Sequence, residues 1–219
     1  QANRRIFVNE IKRARYLTSG IIGVNIMVAL SDYEDLVTVA YNEIVDVIFV
    51  GAGLPLKIPN TISHNQLVNG PTKFIPIVSS ARAANIIFKY WYKHYNHVPD
   101  GIVVEGPLAG GHLGFSKSQI NNPDHALEKL LPDVLPVARF YGKLCNKEIP
   151  VIAAGGIYTG ADIYEHIKAG AQAVQMGTRF VATHECDASE QFKQAYIQCK
   201  DEDLSLIHIS EPTRPLYIS

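Results

Sequence analysis

The fold is decided by Ile149-Pro-Val-Ile-Ala-Ala-Gly-Gly-Ile157 and, one helix later, by Ala171-Gln-Ala-Val-Gln-Met-Gly-Thr-Arg-Phe180. Each segment opens with an apolar run of strand length and ends in glycine, at Gly155-Gly156 and at Gly177. Such runs are typical of parallel strands that are buried on both faces. Residues 159–170 carry a capping signal at their start and a glycine at their end, which predicts a helix between the strands. The stretch therefore predicts a strand–helix–strand unit with glycine at both carboxyl ends.

These glycines indicate an anion site. Without a Cβ, the backbone N–H groups can come close to an anion, and the N-terminus of the following helix adds a favourable dipole. In β/α barrels, the loops after the last two strands are the usual phosphate site. The alternative is a pair of tight turns that use glycine for their geometry alone. Two glycine-ended strands one helix apart favour phosphate binding.

Strand and helix alternate along the whole chain. Strands are predicted at 20–28, 45–50, 73–78, 100–105, 149–154 and 171–176. Helices are predicted at 3–17, 32–44, 81–95, 125–146, 159–170 and 187–200, with a further short helix before Gly70. Ser31-Asp32-Tyr33-Glu34 has the pattern of a capping box. Pro132 and Pro136 are expected to break the helix that contains them, and a polar loop is expected through Pro123.

Six alternating units predict a parallel α/β architecture, for which we favour a TIM (β/α)8-type barrel with its site at the carboxyl ends of the strands. A doubly wound sheet is the alternative, because alternation alone does not separate the two folds; a GxGxxG dinucleotide fingerprint is absent. A complete barrel needs roughly 250 residues. The six units are therefore expected to be the third to the eighth, with two more units before Gln1.

No low-complexity linker divides the chain, so residues 1–203 are predicted to form one domain, a partial barrel. Residues 204–219 have neither a helical nor a strand period. They look like the translated read-through of a sequencing adapter. We expect this irregular tail to be foreign to the protein, and we assign no function to it.

Composition excludes several classes of function. The chain has 219 residues, 47% hydrophobic and 19% charged, with a net charge of −1. This balance gives no electrostatic reason to expect nucleic acid or an anionic membrane as a partner. No apolar run is long enough to span a membrane. The three cysteines form no CxxC pair, which predicts reduced thiols in a cytoplasmic protein.

His112 is the strongest candidate for chemistry. It follows Gly110-Gly111 in a glycine-rich loop at the end of a strand, where a flat ring could approach the backbone. A neutral imidazole suits abstraction of a proton from carbon. The remaining histidines of the barrel are predicted to be surface residues, and no HxH or HExxH spacing indicates a metal. They are His64, His94, His97, His125, His166 and His184.

Other polar residues also follow strands, but each allows two interpretations. Asn25 offers an amide that could meet the edge of an isoalloxazine ring or satisfy the end of its strand. Ser79 and Ser80 could do the same, although capping of the next helix is the favoured role. Glu105 could orient His112 or a ligand, or form an ion pair inside the barrel. Nucleophilic catalysis has little support, because no GxSxG motif is present.

Four motifs, taken in order, resemble the nitronate monooxygenase (2-nitropropane dioxygenase) family and its sister, the FMN-dependent enoyl-acyl-carrier-protein reductase. They are Gly23-Val-Asn-Ile-Met27, Glu105-Gly-Pro-Leu-Ala-Gly-Gly-His-Leu-Gly114, residues 152–157 and residues 175–180. The resemblance implies an FMN-containing β/α barrel with His112 over the flavin as base or substrate-orienting group. The residues that it places against FMN are Asn25, Gly110, Gly111, Gly155, Gly156, Gln175, Gly177 and Thr178.

The resemblance implies oxidation of an alkyl nitronate or nitroalkane by O₂ through FMN, giving a carbonyl compound and nitrite. The alternatives are reduction of an enoyl thioester by NAD(P)H on the same flavin, and an inactive flavin- or phosphate-binding fragment. An acyl carrier would want a basic patch, and no dense Lys/Arg cluster lies in the predicted carboxyl-face loops. A homodimer is left open. The family's first strand would precede Gln1, so this chain is expected to bind FMN weakly or not at all.

Overall fold

The computed structural model describes residues 2–199, so the predicted non-native tail at 204–219 lies outside the described residues. The strands are β1 Gly23–Met27, β2 Val47–Gly51, β3 Lys73–Val78, β4 Ile102–Glu105, β5 Val151–Ala154 and β6 Ala173–Gln175. The helices are α1 Ala2–Leu17, α2 Tyr33–Asn42, α3 His64–Asn69, α4 Ala81–Tyr95, α5 Lys117–Ile120, α6 Leu127–Cys145, α7 Gly160–Lys168, α8 Thr178–Val181 and α9 Glu190–Gln198. All six predicted strands are present, each within a few residues of its expected bounds.

The strands form one parallel sheet in the order β1-β2-β3-β4-β5-β6. A doubly wound sheet reverses its strand order at a switch point. No reversal occurs within residues 2–199, and each strand is followed by a helix before its neighbour is added. The fold is therefore α/β and consists of six units of a TIM-type barrel, as predicted.

Apolar side chains are buried on both faces of this sheet. The larger cluster lies between the sheet and the helices and includes Phe74, Phe88 and Trp91. A smaller cluster, centred on Ile75 and Val103, covers the opposite face. Burial on both faces explains why the strands are continuous apolar runs rather than alternating ones.

Helix α6 is continuous, and the predicted break at Pro132 and Pro136 is wrong. Both prolines lie on the exposed side of the helix, one turn apart. The opposite side buries an apolar stripe from Leu127 to Tyr141 against the sheet. Packing of that stripe outweighs the backbone hydrogen bonds that the prolines remove.

Two local predictions also need correction. The proposed capping box at Ser31 does not form: Asp32 is the N-cap of α2, and it makes no capping hydrogen bond with its side chain. The predicted polar loop up to Pro123 contains the short helix α5 and a 3₁₀ turn. In contrast, Thr159 and Asp162 form a reciprocal capping box at the start of α7, and Gly170 follows α7 with a φ of +110°.

Two aspartates, each in an ion pair, stabilise the chain at the amino ends of β2 and β4. Asp100, just before β4, accepts hydrogen bonds from the Phe74 backbone N–H at 2.9 Å and from Lys147 Nζ at 2.7 Å. Asp46, just before β2, accepts from Arg15 and from the Ile22 N–H at 2.9 and 2.8 Å. These partners come from distant parts of the chain, so each aspartate ties together segments that only the folded sheet brings close.

The chain divides into two compact units, residues 1–176 and residues 177–219. The first unit contains the whole sheet. In the described part of the second unit, Ser189 caps α9, and Lys193 Nζ donates to the Thr183 carbonyl at 2.9 Å. Among the described residues, no helix is both long and apolar enough to cross a membrane.

Candidate functional site

The carboxyl ends of β4, β5 and β6 place Glu105, Ala154 and Gln175 in one row. The parallel register pairs Glu105 with Ala154 and Ala154 with Gln175. Paired residues point to the same side of a sheet, and Ala154 belongs to the cluster on the face away from the helices. Glu105 and Gln175 therefore share that face, two strand spacings or about 10 Å apart.

The loop after β4 carries His112. Its start is a turn in which the Ala109 N–H donates to the Gly106 carbonyl at 3.1 Å. Its far side is tied to β3, because Ser79 Oγ donates to the Gly114 carbonyl at 3.3 Å. His112 is exposed between these two anchors and makes no hydrogen bond within residues 2–199. The ring is thus available to a ligand at the carboxyl end of the sheet.

The glycines of this loop stand in open space. A Cβ added at Gly110 or Gly111 would meet no atom within 4 Å. Gly111 also has a φ of +81°, which favours glycine. Packing against neighbouring atoms requires glycine at neither position, and the backbone angle favours glycine only at Gly111. The open space at both glycines leaves room for a ligand beside the backbone.

The turn after β5 brings several unpaired backbone N–H donors close together. Gly155 and Gly156 have φ values of +100° and +76°. Their N–H groups and that of Ile157 find no hydrogen-bond acceptor in the described part of the chain. Successive N–H groups around a left-handed turn form a concavity that binds anions. The turn has the donor set that a phosphate requires.

Protein packing gives these two glycines a second role. A Cβ at Gly155 would lie 3.0 Å from both Ala109 N and Gly106 O, and one at Gly156 would lie 2.9 Å from Leu108 Cδ1. The loop that carries His112 therefore rests directly on the glycine turn. Close packing and the backbone angles of the turn therefore both require glycine at these positions.

The other predicted cofactor residues are more dispersed. Asn25 is exposed on β1, in register with Phe49, and β2 and β3 separate its strand from that of Glu105. In the second unit, Gly177 is the N-cap of α8, which starts at Thr178, and a Cβ at Gly177 would meet nothing within 4 Å. Ser80 caps α4 as favoured, by accepting from the Ala83 N–H at 3.2 Å.

The prediction that all the remaining histidines are surface residues is wrong for three of them. His166 is only 7% exposed, and the Nε2 of His97 and the Nδ1 of His125 are buried without hydrogen-bond partners. Burial lowers the pKa of His97 to about 4. No sequence signal indicated that these side chains are buried, because each histidine lies on or near an amphipathic helix whose buried side has to be known first. The described residues hold no cluster of three or more metal-ligating side chains.

Glu105 is a half-buried carboxylate without a hydrogen bond or ion pair in the part of the chain that the structure describes. The ion pair that the sequence allowed for Glu105 is therefore absent from that part. Burial raises the pKa of Glu105 above its ordinary value of 4.5. A raised folded-state pKa means that the folded protein binds the proton more tightly, so stability falls as the pH rises through this pKa.

Glu105→Gln should therefore raise the midpoint of thermal unfolding near neutral pH, because the folded state no longer holds a desolvated charge. This difference in unfolding midpoint should vanish below about pH 4, where Glu105 of the parent is protonated in both the folded and the unfolded state. Paired melting curves across this range measure the difference. Glu165→Gln, at an exposed position on α7, is the control and should show no such pH-dependent gain. An unchanged or lowered midpoint for Glu105→Gln near neutral pH would contradict the assignment.

Together these features define part of an α/β barrel with a glycine turn of unpaired N–H groups, a half-buried acid and an exposed imidazole at the carboxyl ends of its strands. Comparison with known proteins then places the chain. The nitronate monooxygenase family profile matches residues 6–216, almost the entire chain. The chain belongs to this family.

Individual proteins of known sequence or structure are also similar to the chain. A protein named "Probable nitronate monooxygenase" from Staphylococcus aureus strain JH9 is 39% identical over 105 residues, which are 48% of this chain and 27% of that protein. FabK from Thermotoga maritima superposes with a TM-score of 0.70 at 32% identity, over 90% of this chain and 53% of that one. The enoyl reductase domain of MlnA from Bacillus amyloliquefaciens shares the fold, with a TM-score of 0.61 at 15% identity. The chain thus spans about half the length of FabK and about a quarter of the curated relative.

Proposed function

We propose that the protein is an FMN-dependent oxidoreductase that oxidises alkyl nitronates with O₂ to a carbonyl compound and nitrite. The observation that carries this proposal is the run of three unpaired N–H groups at Gly155, Gly156 and Ile157, beside the loop of His112. A phosphate on that turn would put the rest of a flavin at the carboxyl ends of the strands. Membership in the nitronate monooxygenase family supports the reaction class.

The residues present fit FMN. The Gly155–Ile157 turn would hold the phosphate. Asn25 and Gln175 offer amide groups that can donate to or accept from a flavin ring. When bound, FMN supplies the redox chemistry, and the protein supplies orientation and a shielded pocket. Gly110 and Gly111 leave room for a flat ring beside the loop.

His112 has the role of general base in this proposal. Its neutral imidazole accepts the α-proton of a nitroalkane, and the resulting anion is the substrate for oxidation. A nitronate added as the anion no longer needs that proton transfer. The hydrogen bond from Ser79 Oγ to the Gly114 carbonyl anchors the loop that carries the imidazole.

Reduction of an enoyl thioester by NAD(P)H is the second candidate, favoured by the 32% identity to FabK over 90% of the chain. This reaction needs a nicotinamide site and a surface for an acidic carrier protein. The loops after the strands offer no dense Lys/Arg cluster in the sequence, which favours the nitronate reaction. A flavin- or phosphate-binding protein without turnover is the third candidate.

Anaerobic reduction of the flavin tests the proposal. Full-length protein loaded with FMN is mixed with NADH, then NADPH, then a nitronate, and the long-wavelength flavin absorbance is followed. We expect no bleaching by either nicotinamide and prompt bleaching by the nitronate. Rapid bleaching by a nicotinamide would move the assignment to the enoyl-thioester reductase. No bleaching by any of the three would favour the binding protein.

A further inference from the structure

The loop that carries His112 has few hydrogen bonds of its own. Between the turn at Gly106 and the short helix α5, residues 110–115 make no backbone–backbone hydrogen bond within residues 2–199. The bond from Ser79 Oγ to the Gly114 carbonyl, at 3.3 Å, is long for a hydroxyl donor. The position of His112 therefore depends also on what holds the residues that directly follow the loop.

Those residues are held by a single histidine, His125. Its ring packs edge-on against Phe115, with the ring centroids 6.0 Å apart and the ring planes at 88°. Phe115 in turn packs against the larger apolar cluster of the sheet. The Nε2 atom of His125 also lies 3.0 Å from the side-chain nitrogen of Gln119. His125 thus contacts two residues that follow His112 closely in the chain.

The Gln119 side chain connects His125 to the start of α5. Its oxygen Oε1 accepts from the Ser116 N–H at 2.8 Å. This bond fixes the orientation of the amide, because the reversed amide would set two donors against each other. The Gln119 NH₂ group therefore donates to His125 Nε2, and a nitrogen that accepts carries no hydrogen. The hydrogen of the neutral ring is then on Nδ1.

That Nδ1 atom is buried and has no hydrogen-bond partner in the described part of the chain. A buried donor without an acceptor is unfavourable, and an apolar ring could pack against Phe115 without this cost. Packing alone therefore does not account for an imidazole at this position. An apolar ring could not accept from Gln119, and so could not hold the amide that binds the Ser116 N–H.

We propose that His125 is a positioning residue, which acts through Gln119 and Phe115 to fix the end of the loop that presents His112. This inference rests on the role of base proposed for His112. The loop is held at its start by the turn at Gly106, and at its end by the Ser79 bond and the Gln119–His125 pair. Small displacements of a catalytic group cost rate steeply, so loss of the pair should affect proton transfer first.

Nitrogen-15 spectra of the histidine rings in the full-length protein test the hydrogen bond itself. We expect the His125 hydrogen on Nδ1 in the parent. In Gln119→Glu the side chain can only accept, so Nε2 of His125 should gain a hydrogen. The exposed His94 on α4 is the internal reference and should not change. A hydrogen on Nε2 of His125 in the parent would overturn the proposal, whatever reaction the protein catalyses.

Two substitutions separate the hydrogen bond from the packing. His125→Phe keeps an aromatic ring against Phe115 but cannot accept from Gln119, whereas His125→Gln offers a side-chain oxygen as acceptor. We expect the ring resonances of His112 to shift in His125→Phe and to return towards the parent positions in His125→Gln. His94→Phe is the matched control and should leave them unchanged. Unchanged His112 resonances in His125→Phe, or equal shifts in both His125 variants, would overturn the proposal.

Turnover by the full-length, FMN-loaded enzyme then links this position to the chemistry. His125→Phe should lower nitroalkane turnover by about tenfold and nitronate turnover by less than about twofold, with His125→Gln close to the parent. Equal losses with both forms of the substrate would overturn the positioning role. If the parent oxidises no nitronate, the proposed function fails, whereas the ring resonances of His112 and His125 still decide the role of His125.

Discussion

His112→Asn is expected to lower turnover of a neutral nitroalkane by about 10²–10⁴-fold, the usual contribution of a general base, and turnover of the preformed nitronate by less than about tenfold. Asparagine is similar in size and polarity but cannot take up a proton near neutral pH. His112 is exposed and makes no hydrogen bond within residues 2–199, so its replacement should not disturb the fold.

Steady-state rates of the full-length, FMN-loaded enzyme with both forms of one substrate measure this difference. The matched control is His94→Asn, at an exposed histidine on α4, which should leave both rates unchanged. Equal losses with nitroalkane and nitronate would contradict the role of base and indicate that His112 positions the substrate or the flavin. Unchanged rates with both would remove it from the site.

Gly155→Ala is expected to destabilise the protein by about 2–3 kcal/mol and to abolish retention of FMN. Two physical reasons combine. The φ of +100° is one that residues with a Cβ rarely adopt, and the new methyl would lie 3.0 Å from Ala109 N and Gly106 O, which are backbone atoms that cannot rotate away. The turn must shift, and its N–H groups would then no longer converge on one phosphate.

Gly160→Ala is the matched control, because Gly160 is five residues further along the same connection, at the first position of α7, and has open space around it. Alanine there should leave stability unchanged or raise it by up to about 1 kcal/mol, since it favours the helix. Thermal unfolding and the flavin content after gel filtration are measured for both variants of the full-length, FMN-loaded protein. A Gly155→Ala protein that melts like the parent and keeps its flavin would show that the turn is not the phosphate site.

The barrel could be predicted from the sequence because each of its signals is local. Five of its six strands, β2 to β6, are apolar runs that end at, or within two residues of, glycine, serine or glutamate. The strand order, by contrast, follows from long-range pairing, and only the structure separates the barrel from a doubly wound sheet. The helix across Pro132 and Pro136 was missed for a related reason, since the packing that holds it comes from distant strands.

The candidate site could likewise be predicted from the sequence only in part. Glycine spacing and the position of His112 identified the loops, but the unpaired N–H groups at Gly155–Ile157 depend on backbone angles that the sequence does not specify. The contact between Ser79 and Gly114 joins residues 35 positions apart, and no sequence pattern links them. His166 was predicted to be exposed because histidine on a short helix usually is; its burial depends on how α7 packs in the folded chain.

The aspartates that tie the chain together, Asp46 and Asp100, lie at the amino ends of the strands, whereas Glu105, His112 and the glycine turn lie at the carboxyl ends. These two anchors are therefore distinct from the residues proposed for binding and chemistry. A library of variants confined to the loops after the strands could change substrate preference without weakening those anchors. Stabilising substitutions around Asp46 or Asp100 could be introduced first, giving such a library more destabilising changes to tolerate before the fold is lost.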